Sequence, residues 1–367
     1  MTTRLTRREF LAAAAVAPAS ATLAAPDSFA FPLLGDLHFD RLEHHDMAWL
    51  EREKPNDVRQ VQDYSRLTRE RLPSLFSEVR GTVAESKSPV PFIIHVGDFV
   101  EGLCGTPELA KRHCREAVEF LRDAKLGAPF LMTKGNHDVT GPGAVEAFNE
   151  VLLPFQSGEA RQELRSASYS FTHGNAMFAV FDAYTRASLD WLEKTLEART
   201  ARHLFVLIHP PVVPYNARSM WHVYSHANLQ AQRERLLALL GRHRAIVLTG
   251  HLHKYGLVAR KTKEGRFAQL AVSSIIPSAD GPLRHVLAGA AEYGPDLVRM
   301  EPNFDPQGEA VRRESLRAEA PSIDHYDYAD TAGYAVVRVE GGEVRADIYT
   351  GIGRRLWKTV DMGGLLG

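Results

Sequence analysis

The sequence is poor in the residue that holds small secreted scaffolds together: only two cysteines, Cys104 and Cys114, occur in 367 residues. That excludes a disulfide-dense fold and a zinc site built from cysteine alone. The pair is compatible with one disulfide or with two buried thiols, and the sequence leaves both readings open. Charge of one sign is also lacking. Lys plus Arg number 44 against 45 Asp plus Glu, a net charge of -1. No global pull toward nucleic acid or anionic lipid follows, so stable binding to either is not expected, and an anionic substrate must be attracted locally. No stretch after residue 25 approaches the roughly 20 apolar residues that span a bilayer. Repeats, low-complexity tracts and dividing linkers are missing as well. At 44% hydrophobic and 24% charged the chain has an ordinary globular composition with enough apolar residues for a core. Histidine is what the sequence has in quantity, 16 residues, and neutral imidazole is the commonest side-chain metal ligand.

Arg7 and Arg8 stand just before an apolar run from Phe10 to about Ala25, with small residues at Ala19-Ser20-Ala21. This resembles a twin-arginine export signal, and it implies the export machinery as a partner and a periplasmic or secreted location. Residues 1–25 are expected to be removed. Their loss deletes three arginines and one glutamate and takes the net charge from -1 to -3. The route carries folded proteins, often already loaded with a cofactor, so it hints at a metal.

Beyond the signal, short apolar runs alternate with amphipathic segments. Strands are expected at 29–34, 91–96, 130–133, 203–208 and 245–248, with helices at 61–85, 107–124, 143–153, 188–199 and 228–240. A hairpin is expected over 169–171 and 177–181, and further strands at 255–260, 267–273, 334–339 and 344–350. Strand and helix in alternation argue for an α/β fold in one domain, residues 29–360. The polar, proline-bearing stretch 281–331 shows little periodicity and is expected to be a surface insertion.

Each expected strand is followed at once by metal-compatible residues: Gly35-Asp36-Leu37-His38, Gly97-Asp98, Gly135-Asn136-His137-Asp138, His209-Pro210, and Gly250-His251-Leu252-His253. In α/β folds the loops beyond the carboxyl ends of the strands share one edge, so residues 217 positions apart can be neighbours. Any single block is a weak signal. Alone, His209 reads as a structural histidine and Asp138 as a turn residue.

The ordered set resembles the calcineurin-like metallophosphoesterase superfamily, whose pattern is D-x-H, G-D, G-N-H-D/E, a lone His and G-H-x-H. The resemblance implies a four-layer αββα sandwich, two mixed sheets flanked by helices, and a centre of two divalent or trivalent transition-metal ions, Mn, Fe or Zn. Carried over residue by residue, Asp36, His38 and His253 would hold one ion, Asn136, His209 and His251 the other, and Asp98 would bridge them. His137 would contact the phosphate or the leaving oxygen, and Asp138 would orient its ring. The reaction implied is hydrolysis of a small phosphate ester by a metal-bridging hydroxide, with diesters placed ahead of monoesters and a non-catalytic binding protein as a further alternative. The D-x-H form argues against the tyrosinate-to-iron site of purple acid phosphatases. With about 110 residues after His253, there is little room for the second domain of 5′-nucleotidases.

Other residues are read more plainly. Glu101 follows G-D and either supports the ligands from behind or faces solvent. His44 and His45 follow D-x-H closely and either line the cleft or, as the plainer reading, are exposed, and Arg312-Arg313 is expected to be a solvated face. Trp221, His222, Tyr224 and His226 form an aromatic, histidine-rich loop suited to a substrate pocket, with Trp221 and His222 as the candidate lining residues.

Overall fold

A computed structural model of the chain describes residues 27–276, 282–301, 305–351, 353 and 355–367. The export segment read at residues 1–25 lies outside them. No helix among the described residues is long and apolar enough to cross a membrane.

The apolar runs become strands because they are covered on both faces. β1 (Ser28–Leu34) is buried at every residue but its first. β2 (Ile93–His95), β3 (Phe130–Met132), β5 (Ala176–Val180), β6 (His203–Leu207) and β7 (Ile246–Thr249) are buried throughout, as expected of parallel strands between two layers. The remaining strands are β4 (Tyr169–His173), β8 (Tyr255–Thr262), β9 (Gly265–Ala271), β10 (Arg284–Ala288), β11 (Ile323–Asp330), β12 (Gly333–Glu340), β13 (Glu343–Thr350) and β14 (Arg355–Asp361). One sheet has the order β14-β13-β12-β1-β2-β3 and the other β10-β11-β8-β9-β7-β6-β5-β4. Both are mixed. β1, β2 and β3 run parallel in the first and β5, β6, β7 and β9 in the second, with antiparallel strands toward the edges.

Three apolar clusters stack through the molecule. Phe29, Phe31 and Leu33 of one sheet meet Phe178, Phe205 and Leu207 of the other in the central cluster, and the Phe31 ring lies 5.5 Å from Phe178 and 5.4 Å from Phe205. The outer face of the first sheet is covered by α2 (Val58–Glu70), α3 (Leu72–Glu85) and α4 (Pro107–Asp123), which follow the short α1 (Met47–Glu53). α5 (Ala144–Ala147) and α6 (Leu153–Ala160) flank the same side. The second sheet is covered by α7 (Ser188–Glu197), α8 (Gln230–Arg242) and α9 (Pro306–Glu319). This is the expected αββα sandwich.

Several expectations are corrected. The helix expected over 61–85 is two helices broken at Arg71, with Pro73 in the first turn of α3, where its missing N–H costs nothing. The helix expected over 143–153 runs on to Ala160 through a π-helical turn at Phe148–Leu152. The 281–331 stretch is not surface decoration. β11 pairs with β8 over Ile323–Ala329, Tyr326 and Tyr328 are buried, and α9 packs behind them. Its strand character was hidden because the pattern reads Asp-His-Tyr-Asp-Tyr, with polar residues on the alternating positions. Arg312 is not solvated: it is fully buried and its Nε donates to the Ala217 carbonyl. His44 and His45 are also buried. His45 bonds Asp40 at 2.7 Å, and His44 Nε2 lies 3.0 Å from Glu116. Cys104 and Cys114 are buried free thiols.

Candidate metal centre and active-site cleft

The parallel strands of both sheets deliver their carboxyl ends to one edge, and the loops leaving β1, β2, β3, β6 and β7 meet there. Asp36, His38, Asp98 and His253 each offer a ligand atom, all within 4.8 Å of one another, and Asp98, His209 and His251 form a second such group. Asp98 belongs to both. His38 Nε2 faces His253 Nε2 at 3.0 Å, and His209 Nε2 lies 2.9 Å from Asp98 Oδ2, 3.2 Å from Asn136 Oδ1 and 3.2 Å from His251 Nδ1. All seven residues read as ligands in the sequence therefore converge.

The outward nitrogens set the tautomers. His209 Nδ1 donates to the Val96 carbonyl at 2.8 Å, and His38 Nδ1 sits 2.6 Å from Glu101 Oε2, so in each ring Nε2 turns its lone pair inward. His253 Nδ1 meets the Tyr64 hydroxyl at 3.2 Å, and the Tyr64 ring stacks on His38 at 4.2 Å. Asp36 is fully buried, and its Oδ2 has no hydrogen-bond partner. A buried carboxylate oxygen and lone pairs facing one another at hydrogen-bond distance are an arrangement that cations satisfy and protons satisfy poorly. Carboxylates, imidazoles and an amide oxygen are a donor set suited to two borderline cations sharing one carboxylate.

The charges push against one another. Burial raises Asp36 to about 6, against the pull of His209 and with the push of Asp98. Burial opposes charge on His209 and His137, yet Asp98 and Asp36 raise the first, and Glu101 and Asp98 the second, to about 9. His251 is held at about 3 by burial and by neighbouring His209.

The backbone is bent to bring these groups in. Asp36, His38, Asp98, His251 and His253 all adopt left-handed φ, from 46° to 75°. Such residues cost on the order of 1 kcal/mol or more each, and they persist only where the surroundings hold them. Gly97 has φ 95°, and a Cβ there would lie 2.5 Å from the His209 ring. A Cβ on Gly135 would lie 2.1 Å from the backbone nitrogen and the Oδ1 of Asp98.

Glu101 does not face solvent. It is fully buried, with Oε2 on His38 and Oε1 accepting from Gln60 Nε2 at 2.8 Å. Asp138 departs from the role read for it: Oδ1 accepts the backbone N–H groups of Phe99 and Val100, and Oδ2 that of Gly135. It fastens the 135–138 loop to the 97–100 loop, and it is the Glu101 carbonyl, 2.7 Å from His137 Nδ1, that orients the His137 ring. Gln60 and Tyr64 were missed. They lie one turn apart on the inner side of α2, and their only sequence signal is a polar and an aromatic residue in a buried helical stripe.

A cavity of about 1300 Å³ opens over the centre, lined by Asp98, Asn136, His137, His251 and His253 at its floor and by Tyr184, Arg218, Trp221 and His222 among others. Trp221 is 43% exposed, with its ring 6.2 Å from His251. His222 lines the cavity too, but its Nδ1 is tied to the Ser219 carbonyl at 2.5 Å.

Solved structures share this fold at low identity. A dimetal phosphatase from Danio rerio superposes with a TM-score of 0.52 at 12% identity, covering 91% of this chain and 99% of that one. The protein PhoD gives 0.51 at 15% identity, with 92% and 69% coverage. A purple acid phosphatase from yellow lupin seeds gives 0.51 at 11%, covering 94% of this chain and 56% of its own longer one. No curated protein matches the sequence significantly. The family model for calcineurin-like phosphoesterases matches residues 32–255, from within β1 to the first residue of β8. With all five loops that carry the candidate ligands inside that span, which is more than half of the chain, the protein belongs to the calcineurin-like phosphoesterase family.

Proposed function

We propose that this metal-dependent phosphoester hydrolase works at a two-metal centre, acts on small phosphate diesters ahead of monoesters, and does so after export. The observation that carries the reading is the pair of ligand groups sharing Asp98. Asp36, His38 and His253 would hold one cation, Asn136, His209 and His251 the other, and Asp98 both. Mn, Fe and Zn all suit these donors. When bound, such cations lower the pKa of water and offset charge on phosphoryl oxygens.

The chain's own residues do the rest. His137 lines the cavity floor with Nδ1 on the Glu101 carbonyl, which leaves Nε2 as the nitrogen toward substrate. Against the effect of burial, His137 is drawn toward its protonated form by Glu101 and Asp98. It would stabilise the phosphoryl oxygens or give its proton to the departing alkoxide. Asp98 Oδ1 accepts the His137 backbone N–H at 2.8 Å, so one loop sets both a ligand and the proton donor. Export rests on the Arg7-Arg8 motif and the apolar run after it.

The test is hydrolysis of bis(p-nitrophenyl) phosphate against p-nitrophenyl phosphate by the mature protein loaded separately with Mn, Zn and Fe. A higher kcat/KM for the diester supports the proposal. Preference for the monoester makes the protein a phosphomonoesterase, and inactivity with two metals bound refutes the hydrolase reading.

A further inference from the structure

The cavity is far larger than one phosphoryl group needs, and its upper wall is aromatic. Among the described residues only seven large apolar side chains are exposed, and two of them, Tyr184 at 41% and Trp221 at 43%, line this cavity. An exposed indole at a cleft rather than in a core offers a π-face to a ligand. The Arg218 guanidinium lies over that indole at 5.3 Å, and the indole in turn lies 6.2 Å from His251. Arg218 is fixed: its Nε donates to Glu301 Oε2 at 2.9 Å and its backbone N–H to Asn216 Oδ1 at 2.7 Å.

The loop that carries both residues is held from behind by the stretch read in the sequence as an insertion. The Tyr293 hydroxyl donates to the Pro214 carbonyl at 2.6 Å, the Tyr326 hydroxyl to Tyr215 at 2.8 Å, and Arg312 Nε to Ala217. Ser219 Oγ donates to the Arg312 carbonyl at 2.7 Å. Together with the Arg218–Glu301 pair and a 3.4 Å bond from Ser315 Oγ to the Ser219 carbonyl, six side-chain bonds among the described residues tie residues 214–219 to residues on the 293–326 side. Loops clamped to this degree are pre-organised, and pre-organisation raises affinity by removing the entropy of ordering the site.

Resting on the hydrolase reading, we propose that Arg218 and Trp221 form a recognition platform for a planar aromatic substituent of the phosphoester, held in position by Tyr293, Glu301, Arg312 and Tyr326. The substrate class is an ester of phosphate bearing an aryl or nucleobase ring. Trp221 stacks on the ring, and Arg218, with Nε committed to Glu301, directs its terminal nitrogens to oxygens on that side of phosphorus.

Two matched pairs of substrates test this with the metal-loaded enzyme. Phenyl phosphate is compared with glycerol 2-phosphate by phosphate release, and bis(p-nitrophenyl) phosphate with methyl p-nitrophenyl phosphate by nitrophenolate release. Within each pair the change in the ratio of kcat/KM on substitution reports the contribution of one ring, because the intrinsic difference in reactivity between the two esters is common to wild type and variant. Stacking of one ring is worth on the order of tenfold or more, so Trp221→Ala is expected to lower the ratio at least tenfold, chiefly through KM. Trp221→Phe restores most of it, and Glu301→Gln, which frees Arg218, lowers it in the same direction. Adding thymidine 5′-monophosphate as a competitive inhibitor separates the ring sources. Inhibition weakened in Trp221→Ala assigns a nucleobase, and inhibition unchanged alongside a lowered ratio assigns a simple aryl group. A ratio within twofold of wild type in Trp221→Ala refutes the platform while leaving the hydrolase reading intact. A wild-type enzyme inactive on all four esters refutes both.

Discussion

Glu101 is the residue on which the centre's geometry should depend most without itself facing the cations. Its carboxylate is fully buried, 2.6 Å from His38 Nδ1, and a second bond from Gln60 fixes its orientation. The carboxylate thereby selects the His38 tautomer with Nε2 inward and makes that nitrogen a better donor. Loss of such a supporting partner typically weakens metal binding 10- to 100-fold, about 1.4–2.7 kcal/mol. Glu101→Gln keeps the shape and the hydrogen bond but not the charge, so it should fall near the tenfold end. Glu101→Ala also leaves the buried His38 N–H and the Gln60 amide unpaired, and should approach the hundredfold end with a further loss of about 1–3 kcal/mol in folding stability. The assay is a competition titration against a fluorescent chelator, with thermal unfolding of the metal-free variants measured alongside to separate affinity from fold. If Glu101→Ala binds two equivalents as tightly as the wild type, the tautomer argument is wrong. A loss confined to stability would refute it equally.

Three further outcomes are expected. His137→Ala should keep both metals, measured by elemental analysis, and lose at least about 100-fold in kcat, whereas Asp98→Ala should lose the metals themselves; a fully active His137→Ala excludes the role given to that ring. Gly135→Ala places a Cβ 2.1 Å from the Asp98 backbone and carboxylate, and should lower both the melting temperature and the metal content, while unchanged metal content would show that the loop can give way. His113 is buried, and burial chiefly lowers it to about 4. Because the unfolded chain takes up this proton near pH 6.5 and the folded one only near pH 4, stability is full above pH 6.5 and falls as pH drops through that window, by about 3 kcal/mol; a flat urea-unfolding profile from pH 7 to 4, or one equally steep in His113→Asn, contradicts it.

The elements that could be read directly were those whose burial makes the pattern simple. β1, β2, β3, β6 and β7 are apolar runs because both faces are covered, and each is followed by a block of metal-compatible residues, marked by a glycine in all but the His209-Pro210 case, so the strand edge and the seven candidate ligands were visible together. The stretch 281–331 was misread for the opposite reason. β11 alternates buried tyrosines with Asp and His, α9 is largely polar, and what makes them structural is the bonding of Arg312, Tyr293 and Tyr326 to a loop about 80–110 residues away. No local periodicity records a side chain's distant partner.

Residue type, order and spacing alone determined the chemistry of this chain: which side chains are fit to hold metals, that they follow strand ends, and that the strands and helices alternate. Those are local properties, written in single residues and short periods. The tertiary structure decided what surrounds them. It buried Glu101 against His38, turned Asp138 from His137 toward the backbone of the neighbouring loop, placed Tyr64 and Gln60 of α2 behind the ligands, and set Trp221 and Arg218 over the cavity. Each of these depends on two segments far apart in sequence meeting at hydrogen-bond or stacking distance, which is fixed by how the layers pack and not by the residues on either side.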